Sequence, residues 1–263
     1  MYAFDFEKPT TVADAVAALA DDEAQPLSGG QTLIPTLKQR LAMPSKLVSL
    51  TGIPEMQGVC KNDAGEVCIG GATPHAVVAA EAAAHYPALA ALASNIGDPA
   101  VRNRGTIGGS VANNDPAACY PSAVLASGAT VVTNNREIAA DDYFDGLFMT
   151  ALEEGEIITE VRFPVPQAAN YQKFVQPASR FALVGVFVAK FADGVRVAVT
   201  GASNDGVFRW TEAEEALSAN FSPDAINGLT VDAGDMIGDL HGTPEYRAHL
   251  VGVMTKRAVA AAS

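Results

Sequence analysis

The sequence predicts an α+β protein in which a helix-rich first part, built from strand, turn and helix units, precedes an antiparallel sheet covered by helices. Three observations carry this expectation. Apolar residues recur at helical spacing beside glycine-rich turns as far as about residue 94, the stretch 171 to 210 is rich in β-prone residues, and two segments with helix-capping residues close the chain. With 263 residues, 49% of them hydrophobic, the chain can bury most of its unfolded surface, roughly 70 to 75% for this size class. Compact domains are expected and disorder is not.

The elements follow in order. In "TTVADAVAALA", Thr11 stands as an N-cap with Asp14 three positions on, and Ala15, Val16 and Leu19 share a helical face. The next stretch, "AQPLSGGQTLIPTLKQRLAMPSKLVSL", reads as a brief strand, a Gly-Gly turn, a helix carrying Leu33, Leu37 and Leu41 on one side, and a strand over residues 46 to 50. A second unit opens at "EVCIGGATPHAVVAA". Here a strand around residues 67 to 69 leads through Gly70 and Gly71 to Thr73, whose hydroxyl is placed to cap a helix with Pro74 at its first position. Alanine-rich helix continues to about Ser94. "ATVVTNNREIAA" predicts a hairpin about Asn134 and Asn135. "EIITEVRFPVP" predicts a closing strand, with its prolines marking a boundary near residues 164 to 168. Beyond it, "FADGVRV" sets Asp-Gly between two apolar arms, a hairpin signal. "SPDAINGL", capped by Ser222, and "TPEYRAHLVGVMTKRAVAAA", capped by Thr243, predict helices, the second with Tyr246, Leu250, Val253, Met254 and Ala258 on one stripe.

The formal net charge of −13 argues against a nucleic-acid or anionic-membrane partner held by a general basic field, leaving only the local pair Arg102 and Arg104. Cys60, Cys68 and Cys119 show no metal-ligand spacing, so no metal is expected and a reduced compartment is. The opening "MYAFDFEKPTT" lacks a leader pattern. No apolar run reaches the roughly eighteen residues a membrane helix needs. A cytoplasmic protein without membrane insertion is the expectation.

Familiar catalytic signatures are missing: there is no GxGxxG after a strand, no GxxxxGK[ST], no HExxH and no GxSxG. His75, His85, His241 and His249 are scattered, and an isolated histidine is more often a packing or surface residue than a ligand. Paired acids at 141–142 and 153–154 read as solvated charge. What stands out is two glycine pairs flanked by small polar residues. In "SGGQTLIP" the N–H groups of Gly29, Gly30, Gln31 and Thr32 precede a helix and can face an anion. In "RGTIGGSVAN", Gly108 and Gly109 lie between the hydroxyls of Thr106 and Ser110. One such pair is usually only a tight turn. Two of them suit a diphosphate, and hence a dinucleotide of unspecified kind.

At these residues a family resemblance enters. "LSGGQTLIPTLKQRLAMPSKLVSL" with "IGDPAVRNRGTIGGSVANNDPA", and "YQKFVQPASRFALVGVFVAK" further on, resemble the FAD-binding medium subunit of molybdenum hydroxylases, the group of aerobic carbon monoxide dehydrogenase and xanthine dehydrogenase. The likeness spans nearly the whole chain. It implies a two-lobed FAD-binding domain of the vanillyl-alcohol-oxidase type, residues 1–54 and 55–165, followed by a C-terminal antiparallel sheet with helices, residues 166–263. By position, Ser28, Gly29, Gly30, Gln31 and Thr32 match the first FAD loop, and Thr106, Ile107, Gly108, Gly109 and Ser110 the second. Asn113 and Asp115 fall where the family meets the ribityl and ring region, and Lys173 matches a basic position placed near the flavin edge, although a lysine is as often simply exposed. One residue departs: the family pattern has an acid where "DPAACYP" has Cys119. A thiol is a poor substitute for a carboxylate acceptor.

The resemblance implies a flavoprotein subunit that carries no catalytic nucleophile or base. Substrate is then hydroxylated at a molybdenum cofactor in a large partner subunit. Electrons pass through 2Fe–2S clusters of a small partner to FAD, and on to an external acceptor. The implied assembly is a dimer of heterotrimers. Two rivals are a docking subunit of the same fold that holds flavin weakly or not at all, suggested by Cys119, and a stand-alone flavin oxidase.

Overall fold

The computed structural model describes residues 1–262. Its first unit comprises β1 (Asp5–Glu7), α1 (Val12–Leu19), β2 (Ala24–Leu27), α2 (Leu33–Lys38) and β3 (Lys46–Ser49). Both β1 and β2 pair with β3 in parallel. The cap of α1 is as predicted, with Thr11 accepting from Asp14 N–H. Ala15 and Leu19 pack on Val48, Leu50 and Ile53 to form a small core. The helix α2 is shorter than the expected one carrying Leu33, Leu37 and Leu41. It stops at Lys38, Arg40 turns into the left-handed region (φ 61°), and Leu41 is left 74% exposed, against expectation. The strand β1 has no sequence signal because it is short and exposed along its length.

The second unit contains β4 (Val59–Lys61), β5 (Val67–Gly70), α3 (His75–Glu81), α4 (Pro87–Ser94), α5 (Pro99–Arg102), α6 (Ile107–Asn113), α7 (Tyr120–Ala126), β6 (Thr130–Thr133), β7 (Glu137–Ala139) and β8 (Ile158–Phe163). Its strands form an antiparallel sheet in the order β4-β5-β8-β6-β7, with β8 inserted between two strands far from it in sequence. The expected hairpin at Asn134 and Asn135 is there. Thr73 does not cap α3: its Oγ1 accepts from Gly58 N–H (2.9 Å) and donates to Gly58 O (3.2 Å), leaving Pro74 as the N-cap. Gly108 and Gly109, read as a turn, lie inside the first turn of α6, because Thr106 caps it by accepting from Gly109 N–H.

The third unit is a meander of β9 (Ala168–Val175), β10 (Ala182–Lys190), β11 (Val195–Ser203) and β12 (Gly206–Arg209), followed by α8 (Thr211–Ala219) and α9 (Pro244–Ala261). The Asp193-Gly194 turn joins β10 to β11 as expected. β10 is buried on both faces because helices lie on either side. Phe187 packs against Tyr86 and Tyr171 towards the second unit, whereas Val184, Val186 and Val188 pack towards α9. The layers therefore run from the five-stranded sheet through α4 and α7 to the four-stranded sheet, and then to α8 and α9.

Three details differ from the pattern reading. "SPDAINGL" forms a single 3₁₀ turn, Pro223–Ile226. Tyr246 is 41% exposed, and the buried stripe of α9 is centred on Arg247, Leu250, Val251, Met254 and Ala258. α8 has no expectation behind it, since its buried face includes Glu214, which bonds Val197 N–H and pairs with Arg209. Among the described residues no helix is long and apolar enough to cross a membrane.

Candidate functional site

The first and second units meet backbone to backbone, and glycine makes that possible. Across the junction a Cβ on Gly29 would lie 2.1 Å from Arg104 O, and within the second unit one on Gly108 would lie 2.5 Å from Gly71 O and one on Gly71 2.1 Å from Ile158 O. No L side chain fits at such distances. The junction is closed by a hydrogen bond between the hydroxyls of Ser28 and Thr106 (2.6 Å). Two further bonds, His75 N–H to Gly105 O (2.9 Å) and Ile107 N–H to Thr73 O (3.2 Å), fix the start of α6 against the end of β5.

Around this junction lies a cavity of about 460 Å³, large enough for part of a dinucleotide. Ser28, Gly29, Gly30, Gln31 and Thr32 line it from the first unit; Thr106, Gly108, Gly109, Ser110, Asn113 and Asp115 line it from the second. Ser28 and Thr106, 78 positions apart in sequence, are thus brought together at one cavity. Two expected residues are elsewhere. Ile107 is fully buried in the core, and Lys173 lies beyond the wall, its Nζ donating to Asn95 O (2.6 Å) and Arg180 O (2.9 Å).

The two glycine pairs do different work. Gly30 adopts a left-handed φ of 72°, and the N–H groups of Gly29, Gly30, Gln31 and Thr32 have no acceptor among the described residues. Such a concave run of free N–H groups is an anion nest. The N–H groups at the second pair are already used: Gly108 donates to Gly71 O (2.9 Å), and Gly109 to Thr106 Oγ1 (3.2 Å). That pair contributes closeness and the Ser110 hydroxyl, not free amide donors.

Beyond α6 the wall is held rigidly. Asn114 takes a left-handed φ of 42° and its side chain donates to Gly146 O (2.9 Å) and Met149 O (2.8 Å). Asp115 accepts from Ala117 N–H through one oxygen (2.8 Å). Thr200 Oγ1 lies 2.7 Å from Pro116 O and 2.8 Å from Ala118 O, its single proton shared between the two carbonyls, which ties this loop to β11. Cys119, the departure from the family pattern, does not line the cavity; its Sγ lies 3.6 Å from Lys173 Nζ.

The wall also carries groups that the sequence reading passed over. His75 is 4% exposed, stacks at a tilt on Tyr120 (5.3 Å), and has a buried Nδ1 without a partner. Burial first, and then the nearby Arg102 charge, hold its pKa down at about 4, so the imidazole is neutral near pH 7. His85, His241 and His249 are exposed, as a scattered histidine should be. Glu156 lines the cavity as well, bonded to Arg136 and Thr133 Oγ1. Burial opposes its charge, yet those partners and Glu153 N–H outweigh it and hold the pKa at about 2. Phe181 closes the cavity from the third unit. The sequence signal nearest to His75 is a third glycine pair, Gly70-Gly71, four residues before it.

Comparison with known proteins agrees with this geometry. Residues 2–166 match the family model described as the FAD binding domain in molybdopterin dehydrogenase. The chain is 32% identical over 275 residues to the carbon monoxide dehydrogenase medium chain of Afipia carboxidovorans, covering 97% of this chain and 95% of that one. It is 34% identical over 274 residues to the nicotine 6-hydroxylase medium subunit of Paenarthrobacter nicotinovorans, with 97% and 95% covered. Among solved structures, reconstituted CO dehydrogenase from Oligotropha carboxidovorans superposes with a TM-score of 0.88 at 31% identity, over 98% of this chain and 97% of that one.

Proposed function

The chain belongs to the FAD-binding medium subunits of the molybdenum hydroxylase family, and on that premise we propose that the cavity between its units is the FAD site, with each wall in a distinct role. The observation that carries the assignment is the unsatisfied N–H run of Gly29, Gly30, Gln31 and Thr32 facing a cavity whose opposite wall is glycine. Gly29 is buried and Gly30 half-buried, and an unpaired buried donor costs about 1–3 kcal/mol when no partner comes, whereas Gln31 and Thr32 are exposed and open to an incoming ligand. A diphosphate supplies acceptors for them. The residues present therefore fit the cofactor.

In this reading residues 28–32 hold the diphosphate through backbone N–H groups, with the Thr106 and Ser110 hydroxyls adding side-chain donors. Asn113 and the free oxygen of Asp115 meet the ribityl chain and ring region, on a loop kept in place by Thr200. Lys173 acts as a positioning residue: by holding Arg180 O it fixes the segment that carries Phe181 to the cavity. FAD, when bound, supplies the redox centre between iron–sulfur clusters of a partner and an external acceptor. The chain's part is to bind it, exclude water and set its surroundings.

We divide the chain into lobes at 1–54 and 55–165 and a C-terminal domain at 166–263, a reading supported by its three separate sheets. The relatives are medium chains of multi-subunit enzymes. We place this chain likewise in a cytoplasmic dimer of heterotrimers with a large molybdenum-binding subunit and a small iron–sulfur subunit. The direct test is the visible spectrum of the purified chain, followed by denaturation and mass identification of the released chromophore. FAD near one per chain, lost on Thr32→Pro, is expected. A colourless chain that takes up no FAD, even when co-expressed with its partners, overturns the assignment in favour of a docking subunit.

A further inference from the structure

Cys60 on β4 and Cys68 on β5 are direct cross-strand partners. The bonds from Gly70 N–H to Gly58 O (3.1 Å) and from Asn62 N–H to Glu66 O (3.1 Å) lie two positions to either side. By the alternation of an antiparallel ladder, Cys60 and Cys68 form a hydrogen-bonded pair, with Cα atoms typically about 5.5 Å apart. A disulfide spans roughly 4.4–6.8 Å between Cα atoms. Opposed residues also project to the same face of the sheet. Here that is the outer face, since Val67 and Ile69 point into the core and Cys68 is opposite Arg162 on its other side. Access to the two thiols differs: Cys60 is exposed on the edge strand, whereas Cys68 is 3% exposed.

We propose that Cys60 and Cys68 form a redox-active dithiol, at which low-molecular-weight disulfides oxidise the chain to an intramolecular, readily reduced disulfide. The exposed Cys60 thiolate attacks one sulfur of the reagent. One reagent thiolate leaves and takes a proton, and a mixed disulfide remains on Cys60. Cys68 then loses its proton and attacks the Cys60 sulfur, expelling the second reagent thiolate. Two S–H bonds are lost and one S–S bond forms, while two electrons and two protons pass to the reagent, which ends as two thiols. Burial pushes the Cys68 thiol up to about 11, with Glu160, Cys60 and Glu66 adding to it and Arg162 opposing. The second step is therefore slow at neutral pH and faster in alkali. β5 runs on into Gly70 and Gly71, whose carbonyl accepts from Gly108 N–H, so the pair is joined by a few residues of backbone to the cavity floor.

The test is incubation of the full chain with oxidised glutathione, followed by denaturation, maleimide titration of thiols and peptide mass mapping. The expected result is loss of two of the three thiols, with a peptide pair linking 60 to 68 and restoration of both thiols by a mild dithiol reductant. Cys68→Ser is expected to trap one glutathione on Cys60, and Cys60→Ser, an exposed change, to leave both remaining thiols free. A wild-type chain that keeps glutathione on Cys60 without forming the 60–68 link overturns the proposal. Three free thiols after prolonged incubation at alkaline pH overturn it equally.

Discussion

Gly29 shows how much of the site rests on the absence of one carbon. Its missing Cβ leaves room for Arg104 O, and without that approach the Ser28 hydroxyl cannot reach Thr106. Gly29→Ala should therefore part the two units locally, at a cost of about 1–3 kcal/mol for forced overpacking, which is about fivefold to a hundredfold in FAD affinity by the usual conversion. Gly228 is the informative control, since it has a left-handed φ of 85° but nothing within 4 Å of an added Cβ. Gly228→Ala should cost about 1 kcal/mol through backbone strain alone, leaving FAD content unchanged. Equilibrium urea unfolding and FAD titration of the two variants check both halves; equal loss of FAD would mean that global stability, not the junction, sets retention.

At the scale of elements, α6 lines the site, as do the starts of α2 and α3, and α9 supports it without reaching it. Thr106 caps α6 through Gly109 N–H and also bonds Ser28, so Thr106→Val removes both interactions while keeping the shape. Loss of a cap costs about 1 kcal/mol. Thr106→Ser, which keeps the oxygen, should retain most of the stability and FAD binding, and a serine variant as poor as valine would refute the hydroxyl's role. α9 acts from further away. Arg247, 3% exposed, donates to Leu183 O (2.8 Å) and Gly201 O (2.6 Å) and pairs with Asp239. Gly201 N–H in turn holds Pro116 O (2.6 Å), next to Asp115 of the cavity. Arg247→Met orphans two buried carbonyls, whereas the exposed Asp239 keeps the N–H groups of His241 and Gly242, and about 3 kcal/mol of stability should go with the carbonyls. Thermal melting of the variant should fall, with FAD retention reduced less than in Gly29→Ala. These helices also show where sequence pattern runs out. Caps and turns are local chemistry, so Thr11, Thr243 and the 193–194 turn are readable. Arg247 and Glu214 break apolar periodicity because they serve distant backbone, and nothing local announces that.

For the whole molecule, the same contrast separates the legible half of the site from the other. The loops at 28–32 and 106–110 are each short runs, and glycine beside hydroxyl is a visible signature. His75, Glu156 and Phe181 reach the cavity only because β5, β8 and β10 are placed by long-range pairing. Burial of two of these groups makes acid stability depend on the assembled fold. The His75 pKa is lowered from 6.5 to about 4, chiefly by burial and secondarily by Arg102. An unfolded chain therefore binds the proton first, and the stability this group contributes is full above about pH 6.5 and is lost as pH falls towards 4. A shift of that size in a buried group is worth on the order of 3 kcal/mol. Glu156 follows at lower pH: its pKa is lowered from 4.5 to about 2, so its contribution is present above 4.5 and lost as pH falls through 2. Two successive losses are thus expected in the urea midpoint of the cofactor-free chain, the first between about pH 6.5 and 4 and the second below 4.5. His75→Gln should flatten the first and leave the second, whereas Glu156→Gln should do the reverse. A midpoint that declines identically in wild type and His75→Gln would show that the imidazole takes up its proton in the folded state as freely as in the unfolded one, and that the cavity wall is open to water at this point.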